Sequence, residues 1–172
     1  MTETLEVGDL ILLHTTDPFA RAIQVFTLSP YNHVACYIGE VKGVPTAIEA
    51  HPTGITETPV STWDLSDPAK ALIVKFPLTD AQRKKAVIFW YTLLGLKYGW
   101  IDIFAMLFTR LGFKAKWLVN RAKSDKRWVC SQVATGGFAA AGFEIPFDPA
   151  REDWAASPSD IANAYLLYKA AL

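Results

Sequence analysis

Trp128-Val129-Cys130-Ser131-Gln132-Val133-Ala134-Thr135-Gly136-Gly137-Phe138-Ala139-Ala140-Ala141-Gly142 is the stretch on which the reading of this 172-residue chain turns. It reads as a short apolar helix with a cysteine in its first turn. Ala134, Phe138 and Ala141 share one face by i, i+4 and i, i+3 spacing, and Gly142 stands where helices commonly stop. Gly136 and Gly137 each cost about 1 kcal/mol against Ala inside a helix, so another backbone is expected to pack closely there. The N-terminus of a helix carries roughly half a positive charge. A thiol placed there ionises more readily, and the thiolate is the nucleophile. Cys130 is therefore the candidate centre of the chemistry. The competing reading is a small buried core residue, the commonest fate of a free cysteine.

A cysteine nucleophile needs a base that takes its proton and later returns it to the leaving group. His33 can do this near neutral pH. It sits in Asn32-His33-Val34-Ala35-Cys36-Tyr37-Ile38-Gly39, which reads as a strand with His33, Ala35 and Tyr37 on one side and Val34, Cys36 and Ile38 on the other. Cys36 is thereby assigned to the core. The next strand, Val44 to His51, follows a Lys42-Gly43 turn and ends at Pro52 and Gly54. It places Glu49 and His51 on one face. Both compete to orient the His33 ring, by the logic of the serine triad. Glu49 is unexpected before Ala50 in a half-buried strand, unless it is an edge carboxylate in water. His14 is a rim or loop residue.

The remaining elements frame these. Val7 to Leu13 reads as a buried strand entered through a Gly8-Asp9 turn. Asp17-Pro18 opens a helix through Phe26. Ala71 to Phe76 is a further strand. Thr79-Asp80-Ala81-Gln82 is a capping box that starts a helix to about Leu94. Gly95 to Trp100 is a turn, with Tyr98 as a core aromatic or a cleft residue. An apolar helix from Asp102 to about Leu111 precedes a basic segment. Ser157-Pro158-Ser159-Asp160 begins a short helix, and Tyr165 to Lys169 is either its continuation or a last strand. The whole is an α+β fold, a mainly antiparallel sheet packed with helices.

Composition narrows the function. Of the residues 51% are hydrophobic, which suits one domain, residues 1–172, with a sizeable core. Formal net charge is zero, which removes the global argument for nucleic acid. The two cysteines form no disulfide framework, and no Cys/His spacing matches a zinc site, so no metal and no cofactor are expected. Met1 to Glu6 lacks the basic and apolar regions of a secretory signal. Lys97 and Asp102 interrupt the most apolar stretch, Ala86 to Phe108, so no spanning helix is expected. The chain is expected to be cytoplasmic as synthesised.

Six motifs in order then resemble a known family. They are Gly8-Asp9-Leu10-Ile11; Asn32-His33-Val34 with Gly39; Ile48-Glu49-Ala50 with Gly54-Ile55; Tyr98-Gly99; Val129-Cys130-Ser131-Gln132-Val133; and Ser157-Pro158-Ser159-Asp160-Ile161. This order resembles the circularly permuted branch of the NlpC-type papain-like superfamily, the YiiX-like proteins, with lecithin–retinol acyltransferases as more distant relatives. In the usual order the Cys precedes the His, and in the permuted branch the His strand comes first, as here. The resemblance implies a papain-like α+β domain with Cys130 as nucleophile, His33 as general base and Glu49 as orienting residue. His51 stays an alternative third residue, since usual-order members often use a second His. Tyr98 would match a cleft tyrosine, and together with His51 it is assigned to substrate contact.

The implied activity is hydrolysis of an amide, first of all in a peptidoglycan peptide, by an endopeptidase or amidase. Reaching the wall would need a non-signal route such as lysis or a virion. The alternatives are a lipid amidase or acyltransferase acting on an acylated small molecule or lipid at a membrane surface, and a non-catalytic binding or assembly module. Residues 101–127 bear on that choice. Seven basic residues lie between Arg110 and Arg127 with Asp125 as the one acid, and Phe113, Trp117 and Leu118 interleave them. Such a segment suits a membrane surface or a wall polymer, although a solvated helix face would look the same.

Overall fold

The computed structural model describes residues 4–16, 24, 29–99, 127–147 and 156–171. Five strands form one sheet: β1 (Leu10–Leu13), β2 (His33–Val41), β3 (Val44–His51), β4 (Gly54–Pro59) and β5 (Ala71–Val74). Their order is β4-β3-β2-β1-β5, and each neighbouring pair is antiparallel. Three helices accompany the sheet: α1 (Asp80–Thr92), α2 (Cys130–Ala140) and α3 (Pro158–Ala170). A short parallel pair joins β6 (Lys97–Tyr98) to β7 (Arg127–Trp128). The expected α+β architecture is the one observed.

Local chemistry accounts for the elements. The β2–β3 hairpin turns at Lys42 and Gly43, with φ of 53° and 79°. Two residues at positive φ suit a tight turn whose twist matches the strands. At the start of α1, Thr79 Oγ1 accepts from Gln82 N–H at 3.3 Å and Gln82 Oε1 accepts from Thr79 N–H at 2.9 Å, so the capping box closes both ways. At the end of α2, Gly142 takes φ 71°. Phe143 N–H donates to the Phe138 carbonyl at 2.8 Å and Gly142 N–H to that of Ala139 at 2.9 Å. That pair of bonds satisfies two carbonyls left over by the helix.

Strand alternation divides the sheet. Leu10, Leu12, Val34, Cys36, Ile38, Ile48, Ala50 and Val74 join the main core with Trp90, Cys130, Val133, Phe138, Ile161 and Tyr165 from the three helices. Ile11, Leu13, Ala35, Tyr37, Ala47 and Ala71 form a second cluster on the other face, with Val60 and the half-buried Trp63 and Leu65.

β3 ends at His51, before Pro52 and Gly54, as expected, and the chain then turns back into β4, an added strand. Of the two readings of Tyr165 to Lys169, continuation of α3 is the one observed. One expectation needs correction: the glycines of α2 make room for aromatic rings, not for a backbone. A Cβ on Gly137 would lie 2.0 Å from Trp90 Nε1, and one on Gly136 would lie 2.9 Å from the Trp128 ring. Trp90 Nε1 also donates to the Val133 carbonyl at 2.8 Å, which pins α1 against the first turns of α2. The helices expected over 17–26 and 102–111, and the basic segment up to Lys126, lie outside the described residues, apart from Gln24, which is helical.

Candidate active site

The site assembles from β2, β3 and the start of α2. His33 opens β2, and the buried Asn32 before it anchors that end. Asn32 N–H donates to the Leu13 carbonyl at 3.0 Å. Asn32 Nδ2 donates to the Thr15 carbonyl at 2.7 Å, and Asn32 Oδ1 accepts from Thr15 N–H at 3.0 Å. The chain just after β1 is thus tied to the first residues of β2, which fixes the His33 backbone against β1, where it pairs with Leu13.

Cys130 is the first residue of α2 and is 4% exposed. Gln132 Oε1 accepts from Val129 N–H at 3.1 Å, a side-chain bond reaching back over the helix start. The N–H groups of that first turn have no acceptor inside the helix. They are positioned to receive negative charge close to the thiol.

Glu49 lies on β3, between β2 and β4, and is 4% exposed. It is a buried carboxylate and not an edge group in water. His33 Nε2 stands 2.5 Å from Glu49 Oε2, and Thr58 Oγ1 donates to Glu49 Oε1 at 2.5 Å. Burial alone would raise the Glu49 pKa. The bond and positive charge of His33, the Thr58 hydroxyl and the charge of His51 outweigh it and hold the carboxyl below its ordinary range.

Alternation assigns His33 to the Ala35 and Tyr37 side, whereas Cys130 belongs to the core on the opposite face. The two nevertheless meet. His33 is the first residue of its strand, at the end of the sheet, and its ring comes within hydrogen-bonding reach of the Cys130 thiol. Burial works to lower the His33 pKa, but the charge and hydrogen bond of Cys130 and those of Glu49 prevail and push it up to about 10. The arrangement favours an imidazolium, held between the Cys130 sulfur and the Glu49 carboxylate. With Nε2 turned to Glu49, Nδ1 is the nitrogen left to exchange a proton with sulfur.

Cys36 has the opposite environment. It is fully buried in the main core, and burial together with the negative charge of Cys130 and Glu49 pushes its thiol well above the usual range. It behaves as a core residue, as strand alternation implied. His51 sits exposed at the end of β3. It adds positive charge near Glu49, but the hydrogen bond to His33 is made by Glu49. Tyr98 is half-buried against the main core and pairs in register with Trp128, two residues before Cys130. It therefore flanks the entry to α2. Thr58 is a site residue that the sequence reading missed. The alternation of Ile55 and Glu57 with Thr56 and Thr58 is the signal that could have found it.

Residues 4–104 match the family described as permuted papain-like amidase enzymes, YaeF/YiiX, C92 family. That span contains His33, Glu49 and Tyr98 and stops short of Cys130. Among solved structures the fold is similar to yiiX from Escherichia coli O157:H7, described as a metalloprotein, with a TM-score of 0.61 and 23% identity over 81% of this chain and 68% of that one. At that identity the likeness concerns the fold alone. No curated protein matches the chain. Among the described residues, no group of three or more His, Cys, Asp and Glu side chains could hold a metal ion, and no helix is long and apolar enough to cross a membrane. A His-bearing strand placed ahead of a Cys-bearing helix, on a five-stranded antiparallel sheet, is the permuted form of the papain arrangement, and with the match over residues 4–104 it makes this chain a member of the permuted papain-like amidase family.

Proposed function

We propose that the protein is a cysteine hydrolase that cleaves an amide bond in a peptidoglycan peptide through Cys130, His33 and Glu49. The observation that carries the reading is the His33 ring held between the Cys130 thiol and the Glu49 carboxylate. The Cys130 thiolate attacks the amide carbonyl carbon, and a C–S bond forms as the carbonyl oxygen takes up negative charge. N–H groups of the first turn of α2 stabilise that oxyanion. The His33 imidazolium gives its proton to the amide nitrogen, the C–N bond breaks and the amine leaves. Water then attacks the thioester as His33 takes its proton. The C–S bond breaks, the acid is released, and the thiolate and imidazolium are restored. Glu49 holds the ring in orientation and stabilises its charge throughout. Tyr98 and His51, at the rim, are the proposed substrate contacts.

Purified peptidoglycan incubated with the native protein is expected to release new amino and carboxyl termini, identified by mass spectrometry, and Cys130→Ala is expected to release none. A second reading, a lipid amidase or acyltransferase, is favoured by the basic and aromatic residues of 101–127. Under it the products would come from acylated lipids and not from the wall. Failure of a thiol-directed activity probe to label Cys130 would instead support a binding module on the same fold.

A further inference from the structure

Glu49 has two carboxylate oxygens, and the strands on either side of β3 each supply a donor to one of them. Oε2 faces His33 on β2 and Oε1 faces the Thr58 hydroxyl on β4, both at 2.5 Å. The register makes this arrangement diagonal. Glu49 lies opposite Ala35 on one side and Thr56 on the other. His33 is two residues from Ala35 and Thr58 two residues from Thr56, so all three side chains share one face of the sheet. Thr58 is opposite Ala47, whose small side chain leaves space for the hydroxyl to reach along β3. The result is a line across three strands, Thr58 to Glu49 to His33, ending at Cys130.

From this geometry we infer that Thr58 is a positioning residue for the proposed hydrolase, locking the Glu49 carboxylate so that Oε2 stays aimed at His33. The inference rests on the Cys130–His33–Glu49 reading and extends it by one residue. A buried carboxylate with an unpaired oxygen would turn to satisfy it or take up a proton. With Thr58 donating to Oε1 neither happens, because a hydroxyl whose proton is committed there offers Glu49 a fixed partner. The titratable groups around the carboxylate are His33 on β2, His51 further along β3, and the thiols of Cys36 and Cys130. From β4 the partner is neutral. Thr58 can thus favour the anion without a competing charge that would draw it away from His33.

The test titrates the His33 ring by NMR, with iodoacetamide labelling of the native cysteines read by mass spectrometry beside it, and needs no substrate. Thr58→Val keeps the shape and removes the donor. Its His33 midpoint is expected to fall below the native value of about 10, by up to about one pH unit. Thr58→Ser, which restores the hydroxyl, is expected to overlay the native titration. A Thr58→Val titration that overlays the native one, with Cys130 labelled in both, overturns the role of Thr58 alone. Native alkylation that favours Cys36 over Cys130 removes the hydrolase reading and this inference with it. If Thr58→Val does not fold, Thr58→Ala is compared with Thr58→Ser on the same readout, and identical His33 midpoints for the two overturn the inference.

Discussion

Replacing Glu49 with Gln keeps the side-chain shape and deletes its charge, so it isolates what the carboxylate does to His33. The chain has three histidines, so the ring signals of His14, His33 and His51 can be assigned and titrated by NMR. In the native protein His33 is expected to remain imidazolium until about pH 10. Burial opposes that charge, and Cys130 and Glu49 sustain it. A hydrogen bond to a charged group is worth about 1.5–3 kcal/mol, and 1.36 kcal/mol corresponds to one pH unit. Glu49→Gln should therefore lower the His33 midpoint by about one to two pH units, to about 8–9. His51→Ala should leave it nearly unchanged, because His51 is exposed and the ring of His33 is bonded to Glu49. The same order should hold for kcat. An unmoved midpoint in Glu49→Gln, or a larger displacement in His51→Ala, would refute the assignment of Glu49 and transfer the orienting role.

Iodoacetamide applied to the native protein should modify Cys130 well before Cys36, which should react only on unfolding; peptide mapping by mass spectrometry reads the order. Gly137→Ala should lower stability, read from the urea midpoint, by about 2 kcal/mol net, overpacking at the upper end of its usual cost, about 3 kcal/mol, less about 1 kcal/mol gained from the helix propensity of Ala. The reason is that the added carbon would overlap a Trp90 ring already held by its bond to the Val133 carbonyl. Stability contributed by His33, whose pKa is raised on folding, should be fully present below its ordinary value of 6.5 and decline as pH rises through about 10. The difference in unfolding free energy between the native protein and His33→Ala should shrink across that window, and a constant difference would contradict it. Co-sedimentation with anionic liposomes or peptidoglycan should weaken with added salt and with charge reversal of Lys114, Lys116 and Lys123, if residues 101–127 form the substrate-facing element.

Much of the framework was legible because local chemistry decided it. Lys42-Gly43 and the Thr79–Gln82 box mark their turn and their helix start by short-range geometry alone. Glu49 was visible as a carboxylate where an apolar residue was due, and its burial between β2 and β4 explains the anomaly. The strand β4 was not visible. Its Thr-Glu-Thr sequence is polar, as an outer strand can be, and Pro52 and Gly54 look the same whether a chain leaves a sheet or turns back into it. Glycines at 136 and 137 signalled a close approach but not what approaches, since a ring and a backbone both exploit a missing Cβ. The meeting of His33 with Cys130 was beyond strand periodicity altogether. Alternation puts them on opposite faces, and only the position of His33 at the sheet's end lets the ring reach the thiol.

The order of elements along the chain has a consequence for how the protein comes into being. All five strands of the sheet and α1 are complete by Thr92, whereas Cys130 opens the next described helix. At about 5–20 residues per second, the roughly forty residues between them take about 2–8 s to leave the ribosome. During that interval His33 and Glu49 are already synthesised while the proposed nucleophile is not, and a chain terminated early would lack it. The same interval leaves Leu10, Leu12, Val34, Ile48 and Val74 without the two later helices that share their core. The order that places Cys130 late thus also exposes a nascent apolar sheet, so the protein's yield in the cell should depend on chaperone capacity more than its final stability would suggest.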